Sequence, residues 1–172
     1  MLKCHVHALE SVLTEQPESR KATITERDRV PWDAIFFGYG AMLPFPVTVM
    51  AVWLGGAALE LPAIRLVTLW GAVILIFLSG VRRGLSFRTP RGPRVSQIMM
   101  MLWLFLAGLG ALALPVRDAM ILLIPGYLSL LVLDPIAARH GETPLYFARF
   151  RPWQMAVPVV SLLMLVGLTL SR

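Results

Sequence analysis

Trp70–Leu85 reads WGAVILIFLSGVRRGL, an apolar run that stops at Arg82-Arg83 and carries small residues at Ser79, Gly80 and Gly84. The sixteen residues Leu66–Val81 hold no ionisable side chain, and as a helix they rise ~24 Å, against the ~30 Å hydrocarbon core of a bilayer. Arg65 and Arg82 bracket them. Arginine stems lie along apolar surface while their guanidinium groups stay in the headgroups, which covers the missing few ångströms. The stretch is a membrane-spanning helix, with the arginine pair at its cytoplasmic end.

The composition agrees. Of 172 residues 57% are hydrophobic and only 15% charged, and the mean hydropathy of +0.71 is far above that of a soluble domain. A net charge of +6 would raise nucleic-acid binding in a soluble protein. Here the charges fall in loops between apolar runs, where the positive-inside rule explains them more simply. The single cysteine, Cys4, cannot form an internal disulfide, so nothing indicates a stapled extracellular domain.

Outward from Trp70–Leu85, the spacing predicts five spans and an all-α, polytopic membrane helix bundle. Residues 1–31 are a polar, mixed-charge tail without the apolar core of a signal peptide, and residues 32–172 form the five-span domain. The first span runs from about Ala34 to Ala58, with Trp32 and Trp53 towards its ends. Pro44-Phe45-Pro46 sits in its middle. Each proline lacks an N–H and crowds the carbonyl four residues back, at Gly40 and Met42, so the helix is expected to break there. Leu59–Leu61 is expected to form a tight hairpin into the second span, Pro62–Arg82. The third span is about Val95–Leu114 and the fourth Ala119–Leu133, bent at Pro125 and ended by Asp134-Pro135. The fifth begins near Trp153 and reaches Leu170.

Thirteen of the sixteen Lys and Arg residues lie in the tail, the second-to-third loop or the fourth-to-fifth loop; Arg65, Arg117 and Arg172 are on the other side. With five spans, this bias puts the N-terminus in the cytoplasm and the C-terminus outside.

Four segments occur in a telling order: Gly38-Tyr39-Gly40-Ala41-Met42-Leu43-Pro44-Phe45, the FLSGVRRG ending of the second span, Gly126-Tyr127 with Asp134, and the basic-aromatic Tyr146–Arg151. Over about Trp32–Val166 the chain resembles the domain-of-unknown-function family numbered 3429, which is similar to the mitochondrial transmembrane protein 69. Ser79 and Arg83 depart from that family's usual Gly and Trp. The resemblance implies five spans and a cell inner-membrane location, and it implies no known activity.

Several residues carry chemical potential. Asp134 abuts an apolar run, where an ionised carboxylate is costly unless paired, and an ion pair with Arg82 or Arg83 is expected to join the second and fourth spans. Broken helices free carbonyls to meet a solute, so Pro44 and Pro46 are candidate binding residues, with Tyr127 on the fourth span expected beside them if a cavity exists. Arg149, Arg151 and Trp153 interleave basic and aromatic character before a span and are expected to contact lipid headgroups. Gly80 and Gly84, like Ala107 and Ala111, have the small-x-x-x-small spacing of close helix approach, expected within the monomer. Cys4-His5-Val6-His7 has metal-capable side chains but no fourth ligand, so no metal or other cofactor is expected.

No paired carboxylates, nucleophile motif or phosphate loop is present, so no enzymatic activity is expected. The expected function is that of a structural or accessory, assembly-type component of the inner membrane. Its expected partners are membrane lipids and other inner-membrane proteins, not nucleic acid. The alternative is a small-solute or lipid-binding transporter-like protein, which polar side chains converging inside the bundle would favour.

Overall fold

A computed structural model describes residues 32–55, 57–87, 92–139 and 146–170. The tail with Cys4, His5 and His7, residues 88–91, and His140 lie outside the described residues. All regular structure among the described residues is helical, in the order α1 (Trp32–Gly40), α2 (Pro44–Leu54), α3 (Ala57–Ser86), α4 (Val95–Ala113), α5 (Val116–Arg139) and α6 (Tyr146–Leu170). Five stretches are long and apolar enough to cross a membrane: Ile35–Leu54, Leu59–Ser86, Val95–Ala113, Val116–Arg139 and Arg149–Leu170. The first is the broken pair α1 and α2.

Consecutive helices pack on one another from α2 to α6, α2 returns against α6, and α3 meets α5 across the middle. Each span turns one stripe inward, where Phe45, Leu75, Leu104, Leu123, Tyr127, Leu130, Met155, Leu162 and Leu165 are fully buried. The opposite faces stay apolar, with Val73, Phe77, Leu106, Leu128 and Leu163 exposed. Only 22–39% of each span is buried, and helices this apolar all round belong in lipid. α3 and α4 approach closely at Gly108. A Cβ there would stand 2.7 Å from Ile76 Cγ1 and 2.9 Å from the Ala72 carbonyl oxygen. Ala107 and Ala111 are buried in the core beside it.

Four boundaries and one packing motif differ from expectation. Leu59–Leu61 is no hairpin: α2 ends at Leu54, Gly55 donates its N–H to the Ala51 carbonyl at 2.8 Å, and α3 starts at Ala57. Pro62 lies within α3, as prolines in membrane helices are tolerated where neighbours keep the helix in place. α3 runs past Arg82 to Ser86, so Arg82 and Arg83 stand one turn inside the helix. Asp134-Pro135 does not end α5, which continues to Arg139 because buried Ala137 and Ala138 hold the last turn against the core. α6 starts at Tyr146, two turns before Trp153, and takes Arg149 and Arg151 into the helix. Gly80 and Gly84 meet nothing: a Cβ at either would have no atom within 4 Å.

Candidate functional site

The break between α1 and α2 begins with two missing donors. Pro44 and Pro46 have no N–H to give to the carbonyls of Gly40 and Met42. Those carbonyls accept from one residue nearer: Leu43 N–H to Gly40 O at 3.3 Å, and Phe45 N–H to Met42 O at 3.2 Å. The tightening spreads back along the turn, because Met42 N–H goes to Tyr39 O at 2.9 Å. An ordinary α-helix would have sent Phe45 N–H to Ala41 O and Met42 N–H to Gly38 O. Two other helices supply the replacements. Trp70 Nε1 on α3 donates to Ala41 O at 2.8 Å, and Gln154 Nε2 on α6 donates to Gly38 O at 2.9 Å. The carbonyls left over by the prolines are thus taken by the chain's own side chains, as backbone within a membrane span requires.

Tyr127 lies deeper, fully buried, its ring edge-on to Phe45 at 5.6 Å and its hydroxyl donating to Gly71 O at 2.8 Å. It exposes no surface, so it lines no space that a water could enter. The expected cavity shared by Tyr127 and the break is not what this residue faces. Pro44 opens α2 and accepts at its carbonyl from Thr48 Oγ1 at 2.8 Å, while Pro46 points half-buried towards α6.

One helical turn from Gln154 stands a buried ionic cluster. Asp134 on α5 is 2% exposed and engages both carboxylate oxygens. Arg82 on α3 donates to Oδ1 from Nε at 3.0 Å and also from its second terminal nitrogen. Arg151 on α6 reaches Oδ2 with Nε at 3.5 Å. Helical register explains the convergence. Tyr127, Leu130, Asp134 and Ala137 lie on one stripe of α5; Leu75, Leu78 and Arg82 on one stripe of α3; Arg151, Met155, Pro158 and Leu162 on one stripe of α6. The cluster ties three helices at one end of the bundle. The Gln154 side chain beside it is buried, and its Oε1 has no hydrogen-bond partner among the described residues.

The remaining sequence candidates separate. Arg83 turns away from Asp134 and stacks over Phe87, 4.4 Å from the ring centroid. Arg149 and Trp153 are exposed, as headgroup contact requires, but Arg151 is 7% exposed and belongs to the cluster instead. Sequence reasoning missed Arg151, Gln154 and Trp70. The signal for the first two was available: once α6 is extended back to Tyr146, Arg151 and Gln154 fall in phase with Pro158, Ser161 and Leu165. Nothing along the chain marks Trp70 as the donor to Ala41, twenty-nine residues away.

Among the described residues no group of three or more His, Cys, Asp or Glu side chains could hold a metal ion. Among the hollows between described residues, two are well defined. One, of about 250 Å³, is lined by Glu60, Leu61, Ile64, Val116, Arg117, Met120 and Thr169. The other, of about 450 Å³, is an apolar groove between α2 and α6.

Fold and site together define an all-helical protein of the multi-pass membrane type, its break and its charges both closed from within. Residues 30–167 match the family described as "Protein of unknown function (DUF3429)", and the chain belongs to that family. No curated protein and no solved structure matches it.

Proposed function

We propose that this chain is a structural or accessory component of a cell inner membrane, without enzymatic activity, which helps a larger membrane assembly to form or persist. One observation supports this above the rest: the groups that a transporter would offer to a solute are spent within the fold. Gly38 O and Ala41 O are occupied by Gln154 and Trp70, and Asp134 by Arg82 and Arg151. Transport sites keep such carbonyls and carboxylates turned towards a cavity. Tyr127, the residue expected to share that cavity, is sealed against Phe45 and Gly71. The polar groups of Trp70, Tyr127 and Asp134 are engaged within the fold, which favours a scaffold over a small-solute carrier.

Native membranes solubilised in mild detergent test the reading. The chain of 19.1 kDa is expected to migrate on native gels in an assembly much larger than itself, and deleting it is expected to lower the yield of that assembly. A chain that migrates alone, and that when reconstituted into liposomes carries a solute across in counterflow, would overturn the proposal.

A further inference from the structure

The groove between α2 and α6 has a shape and a charge that its position in a membrane makes meaningful. On α6 it is lined by Trp153, Ala156, Val157, Val160, Ser161 and Met164, and on α2 by Pro46, Val49 and Met50. Small side chains at positions 156, 157, 160 and 161 leave a trough, with Trp153 at one end and Met164 at the other. Those two residues are eleven apart, ~16 Å along the helix axis. The trough runs along the span and opens outward to where lipid lies.

Arg149 precedes Trp153 by four residues, so it sits one turn beyond the groove on the same face of α6. It is exposed, and it makes no ion pair among the described residues. Its neighbour Arg151 points the other way, into the Asp134 cluster. The outward face of α6 therefore carries, in order, an exposed cation, an interfacial indole 73% exposed, and an apolar trough. That order matches a phospholipid read from phosphate through glycerol to acyl chain, since indoles favour the headgroup boundary and cations the anionic headgroup.

We propose that this groove is a binding site for one anionic phospholipid, its headgroup phosphate on Arg149, its glycerol region beside Trp153 and one acyl chain in the trough against Pro46, Val49 and Val160. The site rests on the membrane reading of the five helices alone; its failure would leave the accessory role untouched.

Native mass spectrometry of the full chain in detergent, with phosphatidylglycerol or phosphatidylcholine added, tests it. Phosphatidylglycerol is expected to bind as a single retained molecule, more tightly than phosphatidylcholine by about fivefold, the ratio that one cation near an anionic headgroup supplies. Arg149→Gln should remove that preference. Arg139→Gln, which removes an exposed cation at the C-terminal end of α5, should leave it. Val160→Trp, placed on an exposed position so that the bundle still folds, should abolish retention of both lipids. A brominated phosphatidylglycerol should quench part of the tryptophan fluorescence, and Trp153→Phe should eliminate that part. Equal binding of the two lipids, equal effects of the two arginine changes, or unaltered retention in Val160→Trp would each overturn the site.

Discussion

At Asp134 a single carboxylate decides how three helices meet, so its removal and the removal of its partners differ in consequence. Asp134→Asn takes the carboxylate from between the buried Arg82 and Arg151 side chains, and breaking a buried pair from one side costs about 3 kcal/mol. Arg82→Gln leaves Asp134 with Arg151 and should cost less. The double variant should melt little lower than Asp134→Asn alone, because the bond between Arg82 and Asp134 is already gone. Thermal unfolding in detergent checks the order, and additive losses would mean that the two side chains do not act as a pair. The glycines separate in the same way. Gly108→Ala pushes a methyl into Ile76 and the Ala72 carbonyl and should cost roughly 1–3 kcal/mol. Gly80→Ala meets nothing and should be neutral or stabilising by up to ~1 kcal/mol through helix propensity. Equal melting of these two variants would show that α3 and α4 do not touch at Gly108.

The element of most consequence is the broken first span. From the prolines alone, straightening it by Pro44→Ala with Pro46→Ala is expected to leave the protein at least as stable. The structure adds an opposing term: a continuous helix would return Phe45 N–H to Ala41 O and Met42 N–H to Gly38 O, and so strand the Trp70 indole and the Gln154 amide. Gains and losses then nearly balance. The sharper test is coupling. Trp70→Phe in the natural chain removes a 2.8 Å hydrogen bond, worth roughly 1 kcal/mol, whereas in the straightened background that bond no longer exists to be lost. A drop in melting temperature confined to the natural background is expected. The same drop in both backgrounds would mean that the indole contributes by packing and not by meeting Ala41.

For the whole molecule, the orientation is a prediction from charge, and the structure changes the count without changing its sign. Arg82 and Arg151 are inside the bundle with Asp134, so of the thirteen cations assigned to the cytoplasmic side eleven are left outside that cluster, against three opposite. A reporter joined after Arg172 should therefore work only outside the cytoplasm, and one inserted near Gly92 only inside it. Gly92 has a φ of +91° in the connection before α4, a loop conformation in which an insertion disturbs no helix. A cytoplasmic signal from the C-terminal fusion would invert the topology.

The number of spans, their helical character and the site of the break were legible along the chain, because each depends on neighbours within a few residues. Sixteen uncharged residues at Leu66–Val81 suffice for a span, and two prolines in Pro44-Phe45-Pro46 suffice to remove two donors. Helix ends were less legible. Arg82, Pro135 and Trp153 look like terminators locally, yet buried contacts carry the helices past them to Ser86, Arg139 and back to Tyr146. What only the tertiary structure decided is who answers each unsatisfied group: Arg82 and not Arg83 for Asp134, Arg151 inward and Arg149 outward, Trp70 for Ala41 and Gln154 for Gly38. Those partners are far apart along the chain and are selected by the rotation of one helix against another, which local propensity does not encode and which the packing of Phe45, Leu75, Tyr127 and Met155 sets.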